Sequence, residues 1–254
     1  IPQDSILFRY PFRVHVQGDK VVVMDLHATE YFFHAFRYPD FQYLTSFGKR
    51  GDAPEEILSA ENFRWNGQFL WMLDAGKSKL TRLSFTLSGD SLLRTEVVSL
   101  DKEILRALDF VQYDDSTFII PDYSGDSRFC WVNRQGKLHR KTGTIPTTNE
   151  DALNNACPAL AQAWRSFSDV QVTDNAIYAV FHGRSFKEIA QSARSGINLP
   201  DGGQYIYVFS LAGEPLCKYV LGHYIYGITI DEQRGVIITT DVNKDEPVIE
   251  FCMK

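Results

Sequence analysis

Cysteine is scarce: four residues, Cys130, Cys157, Cys217 and Cys252, lie scattered through 254 positions, with no CxxC pair and no histidine at zinc-ligand spacing. A metal site built on thiolates has nothing to stand on. Three of the four fall in β-rich runs, where an unbridged cysteine is expected to act as a small buried hydrophobe. Long apolar runs are also missing, and none approaches the roughly 18 residues that a membrane-spanning helix needs. Basic clusters are missing too. The 26 Lys and Arg residues are dispersed among 32 Asp and Glu for a net charge of −6, which argues against the cationic stripe of a nucleic-acid-binding surface. There is no HxH or HExxH spacing, no Gly-x-Ser-x-Gly elbow and no phosphate-cradling glycine loop. Zinc hydrolysis, serine-dependent hydrolysis and nucleotide binding therefore have no motif here.

What is abundant is β-forming sequence in a repeating phrase: a β-rich run, a turn, then a second run usually ending in Asp. It recurs as Gly18 to Asp25, Gly67 to Asp74, Asp115 to Asp122, Asp174 to His182 and Arg234 to Asp241. A period of about 45 to 60 residues carrying β segments marks a blade array. The expectation is an all-β fold, a β-propeller of four-stranded antiparallel blades, forming a single domain over 1–254. Blade one takes 12–17, 20–25, 31–38 and 41–47, and blade two 61–66, 68–74, 79–85 and 92–100. Blade three takes 107–112, 117–122, 127–132 and 137–142, and blade four 168–173, 176–181, 204–209 and 215–221. Blade five offers 224–230, 235–241 and 248–253. Its fourth strand is expected from 5–10, closing the ring and leaving no long unpaired edge.

Two segments break the rhythm and read as short helical insertions. Thr147 to Glu150 has the form of a capping box ahead of 151–164, which Pro158 splits. Ser185 to Glu188 forms a second, opening a helix that Gly196 ends. In an up-down sheet, the connection from one blade to the next and the connection between second and third strands leave from the same end. Both insertions are therefore expected on one rim, the side where repeat arrays commonly bind.

Four passages, Leu7 to Val14, Ser46 to Gly51, Ile177 to Arg184 and Tyr205 to Leu216, together resemble the TolB-like propeller family of Bacteroidetes. The likeness runs through nearly the whole chain. Its Phe47-Gly48-x-x-Gly51 element is shared with NHL-repeat propellers, and the linker reads Gly51-Asp52-Ala53-Pro54-Glu55-Glu56-Ile57 where the family usually has Gly-Pro-Gly-Glu-Phe. The resemblance implies a six-bladed propeller in an exported protein, often lipid-anchored, with no established activity. The repeats themselves give five blades. The chain begins at Ile1 rather than Met, which suggests a signal segment or lipid anchor upstream. Periplasm or cell envelope is the expected location.

The recurring Asp25, Asp74, Asp122 and Asp241 are read as structural acceptors for the turns that follow them, because a single binding site would not recur in every blade. Blade four breaks the pattern with His182, followed by Gly183 and Arg184. Pattern-breaking beside an insertion marks a candidate ligand rim, to which His27 and Asp126 in the matching connections are added. His15 and His223 are weaker candidates. Tyr31, Phe32, Phe33, Phe36, Tyr38, Phe41 and Tyr43 are read as filling between blades rather than as a binding platform. The leading expectation is a non-enzymatic binding or scaffold module that engages a protein, peptide or glycan, with no required cofactor. The alternative is a calcium-dependent hydrolase or lactonase with a cation at the top of the channel, held by Glu61, Asn62, Asp109 and Asp169.

Overall fold

The computed structural model describes residues 6–86, 91–105, 107–122, 128–141, 164–185, 188, 191–192, 194–197 and 199–253. The described residues hold nineteen strands. The first blade comprises β1 (Pro11–Gln17), β2 (Lys20–Asp25), β3 (Tyr31–Arg37) and β4 (Tyr43–Lys49). The second has β5 (Ala60–Asn66), β6 (Phe69–Asp74), β7 (Lys79–Phe85) and β8 (Leu92–Ser99), and the third β9 (Val111–Asp114), β10 (Thr117–Asp122), β11 (Arg128–Asn133) and β12 (Leu138–Lys141). The fourth has β13 (Trp164–Val172), β14 (Ile177–Ser185), β15 (Gly203–Phe209) and β16 (Pro215–Ile225), and the fifth β17 (Ile228–Asp231), β18 (Val236–Thr240) and β19 (Val248–Cys252).

In each sheet the strands lie side by side in chain order, four sheets having four strands and the last having three. Five such antiparallel meanders are the blades of a propeller. Cα packing divides the chain into two compact units, Gln17–Thr148 and a second made of Ile1–Val16 with Asn149–Lys254.

The second strand of a blade is sealed on both faces, and its sequence shows why. Val21, Val22, Val23 and Met24 on β2, and Leu70, Trp71, Met72 and Leu73 on β6, are all buried, as a sheet packed between other sheets requires of its inner strands. Fourth strands revert to alternation or to polar sequence, as β8 does with Leu93, Arg94 and Thr95 exposed in succession. In the 17–148 unit, Trp71 meets Phe118 edge-on at 4.8 Å, within a core that includes Leu73, Leu80, Val98, Phe110, Ile120 and Val132. In the other unit Tyr178, Val180, Ile206, Ile225, Ile228 and Ile237 form the corresponding core.

Several expectations meet the structure directly. Phe32, Phe33, Phe36, Tyr38 and Phe41 are buried, as interior filling should be, while Tyr43 is 37% exposed. The turn at Asn133 to Gly136 closes with the Gly136 N–H donating to the Asn133 carbonyl at 2.8 Å. Cysteine is corrected in part. Cys130, Cys217 and Cys252 stand outside any disulfide, but only Cys130 is buried; the other two lie on the last strands of their sheets, whose outward positions meet solvent. Cys157 lies outside the described residues. Residues 6–10 of the strand expected over 5–10 have no strand conformation, and the last sheet has three strands among the described residues. Tyr10 is drawn instead into a side-chain cluster described below. The insertion expected over 147–164 lies outside the described residues up to β13. In the second insertion Glu188, Gln191, Ser192 and Arg194 are helical, and Gly196 ends the turn in the left-handed region at φ 67°.

Candidate functional site

The recurring aspartates come first, because they show what the normal position does. Asp74 is buried, and its two oxygens accept backbone N–H groups from Leu58 at 3.1 Å, Ser59 at 3.0 Å and Lys77 at 3.2 Å. It fastens both the following turn and the incoming chain. Asp25 accepts from the His27 N–H at 3.3 Å, and Asp241 from the Asn243 N–H at 2.9 Å. These carboxylates are structural acceptors, as read from their repetition.

His182 occupies the same place in the fourth blade and does something different. Its side chain is buried, and among the described residues neither Nδ1 nor Nε2 has a hydrogen-bond partner. Asp201 Oδ1 lies 3.7 Å from Nε2, beyond hydrogen-bonding distance. Asp201 is already engaged: the Tyr10 hydroxyl donates to Oδ2 at 2.6 Å and the Tyr226 hydroxyl to Oδ1 at 2.7 Å. The Tyr226 ring stands 6.1 Å from the imidazole, edge to face. Burial, with the Asp201 bond second, pushes the Tyr10 phenol well above its usual range, so it remains a neutral donor.

Backbone geometry brings Asp201 to this spot. It is followed by Gly202, at φ 117°, and Gly203, where an added Cβ would come 2.4 Å from the Phe181 carbonyl oxygen. Only glycine lets the returning chain lie against β14 so closely. Asn243 then locks the corner, with its Nδ2 donating to the Asp201 carbonyl at 2.8 Å and to Asp241 Oδ1 at 2.9 Å. His223 Nδ1 meets Asp241 Oδ2 at 3.2 Å. Arg184 reaches the Pro200 carbonyl and lays its guanidinium 4.8 Å over the Tyr224 ring. The result is a Tyr-Asp-Tyr cup beside an unsatisfied imidazole, with Asp201 42% exposed at its mouth.

Of the four rim candidates, His182 and Arg184 thus lie at this corner. His27 is an exposed residue of the 17–148 unit, and Asp126 lies outside the described residues. Sequence reading missed Tyr10, Asp201, Tyr226 and Asn243. Two carried a usable signal, since Tyr10 and Tyr226 each stand just before a first strand.

Three of the four candidate cation ligands, Asn62, Asp109 and Asp169, are tied into blade-to-blade latches, and Glu61 is held locally. Asn62 donates to Asp109, and Arg64 Nη2 grips both Asp109 oxygens at 3.0 Å. Glu61 accepts the Ser59 hydroxyl at 3.0 Å. Asp169, in the other unit, pairs with Arg13 at 2.6 Å and accepts the Ile228 N–H at 3.0 Å. Among the described residues no group of three or more His, Cys, Asp or Glu is arranged to hold a metal ion.

The family described as TolB-like 6-blade propeller-like matches residues 1–169 and 167–233. The chain belongs to that family. The five sheets among the described residues are one fewer than the blades in the family's description. Among solved structures it is similar to a protein of Bacteroides fragilis NCTC 9343 named as a candidate exported protein, at 10% identity and TM-score 0.58, covering 94% of this chain and 81% of that one. It is also similar to a functionally unknown protein of Desulfotomaculum acetoxidans DSM 771, at 10% identity and TM-score 0.42, covering 95% and 68%. No curated protein matches the chain. At these identities the structural likeness carries the fold alone. No helix among the described residues is long and apolar enough to cross a membrane.

Proposed function

We propose that this TolB-like propeller is an exported, non-enzymatic binding module of the periplasm or cell envelope. It engages a protein, peptide or glycan through the rim corner formed by Arg184, Asp201 and His182. The observation that carries this reading is His182: a buried imidazole with both nitrogens unpartnered is costly, and it stands where other blades place a saturated aspartate. A ligand hydroxyl or amide entering the Tyr-Asp-Tyr cup would supply the missing partners. The exported location is supported by the description of the Bacteroides fragilis protein. Compartment, ligand class and the role as one domain over 1–254 are parts of the same proposal.

The test is binding of the wild-type chain to glycan and peptide arrays, repeated with Arg184→Ala and Asp201→Asn. Ligands held at this corner are expected to lose about tenfold or more in affinity in each variant, the usual scale for a lost charge-assisted contact. Binding that ignores both substitutions overturns the assignment. A calcium titration read by thermal shift tests the hydrolase alternative, since an ion bound only by the native state must raise the melting temperature.

A further inference from the structure

The 17–148 unit contains a second place where polar side chains are left without close partners, independent of the rim corner. Between β4 with its following connection and the outer half of the second blade lies an open cavity of about 290 Å³. Phe47, Ile57, Met72 and Leu83 line it and are buried residues. The register of the second blade puts Met72 opposite Thr81 and Leu83 opposite Arg94, so an apolar floor leads directly to cationic side chains. The volume lies at the low end for small-molecule sites, about 300 to 1,000 Å³.

Two cations, Lys79 and Arg94, line this cleft, and two more, Lys49 and Lys77, reach the adjoining 53–56 stretch and are satisfied. Lys49 pairs with Glu56 at 2.8 Å, and Lys77 donates to the carbonyls of Ala53 at 2.6 Å and Glu56 at 2.9 Å. Lys79 and Arg94 are not. Lys79 has one hydrogen bond, to the Pro54 carbonyl at 3.2 Å. Arg94 has only Glu55 at 3.9 Å, a carboxylate that is 72% exposed. The two head groups therefore converge on the same short stretch, Pro54 and Glu55, with no carboxylate within hydrogen-bonding reach of either among the described residues. Burial, and then the positive charge of Lys77, hold the Lys79 ammonium below its ordinary pKa, as expected of a cation lacking an anion.

We propose that this cleft binds a small carboxylate with an apolar tail, the tail on the Phe47, Met72 and Leu83 floor and the carboxylate between Lys79 and Arg94, where it displaces the loosely held Glu55. Fatty acids and the C-terminal residue of a peptide share this chemistry. Titration calorimetry of the intact chain with octanoate and with N-acetyl-leucine separates the two sources, and the corresponding primary amides serve as uncharged controls. At least one acid is expected to bind about tenfold more tightly than its amide. Lys79→Gln and Arg94→Gln should each remove most of that preference, and Glu55→Gln should strengthen acid binding a few-fold by removing the competing carboxylate. All three positions are at the cleft mouth, so unchanged far-UV circular dichroism checks the fold. Binding of neither acid, equal binding of acid and amide, or a preference insensitive to Lys79→Gln and Arg94→Gln overturns the proposal. Loss of array binding in the Arg184 and Asp201 variants bears on the rim alone, so the two readings fail separately.

Discussion

Asp74 in the second blade and His182 in the fourth hold the same place in the repeat and have opposite fates. Asp74 is saturated by three backbone N–H groups, whereas His182 is equally hidden and, among the described residues, has neither ring nitrogen paired. A repeat position that serves architecture is satisfied locally, by the turn beside it. A position released from that duty can carry unsatisfied polarity, and here Asp201 and the Tyr226 ring stand beside it.

The sharpest way to break this contrast uses the ion pairs that tie first strands together in each unit. Asp169 is 2% exposed beside Arg13, whereas Asp109 is 30% exposed beside Arg64. Arg13→Ala is expected to cost about 3 to 5 kcal/mol, because it strands a buried carboxylate, and Arg64→Ala about 1 kcal/mol. Urea unfolding of both variants measures the difference, and equal costs would show that burial is not what separates them.

Next in size, Asp74→Ala should destabilise by about 2 to 3 kcal/mol by orphaning buried N–H groups. His182→Leu should change stability by less than about 1 kcal/mol, since it removes two unpaired nitrogens at similar volume. A large loss in His182→Leu would mean that the imidazole is structural after all, and the rim assignment would lose its main support.

A third, smaller effect sharpens the comparison between histidines. His34 is buried like His182 but is partnered, its Nδ1 lying 2.8 Å from the Ser46 hydroxyl. Burial, partly opposed by the Asp25 charge, lowers its pKa from 6.5 to about 4. In the unfolded chain the imidazole takes up a proton below about pH 6.5, but in the fold only near pH 4. The unfolded state therefore binds more protons across that window. This contribution is complete above pH 6.5 and is lost as the pH falls towards 4, amounting to roughly 2 to 3 kcal/mol between pH 7.5 and 4.5. Unfolding free energies at pH 7.5 and 4.5 should differ less in His34→Gln than in the wild type; an unchanged difference would assign the acid sensitivity to other groups.

Much of the fold was legible because blades are written in local patterns. The unbroken apolar runs at Val21 to Met24 and Leu70 to Leu73 announce strands buried on both faces, and the turn residues at Asn133 to Gly136 mark a hairpin that the structure contains. The site was legible at one point only. His182 and Arg184 stood out as a lapse in a repeat, but Tyr10 and Asp201 are 191 positions apart, and no pattern in the chain joins them. The candidate cation ligands show the converse. Asn62, Asp109 and Asp169 looked available because their partners, Arg64 on the same strand and Arg13 far upstream, could not be matched to them by spacing.

The sequence by itself determined the class of fold, the number of sheets and the blade in which the repeat lapses, since each depends on alternation, turns and period within about 60 residues. Tertiary structure alone decided which polar groups are spent and which are left over. Hydrogen bonds and ion pairs between distant segments form only after the strands have packed. It was packing that satisfied Asp74 and Asp169 and, among the described residues, left His182 without a hydrogen-bond partner and Lys79 and Arg94 without a carboxylate in hydrogen-bonding reach.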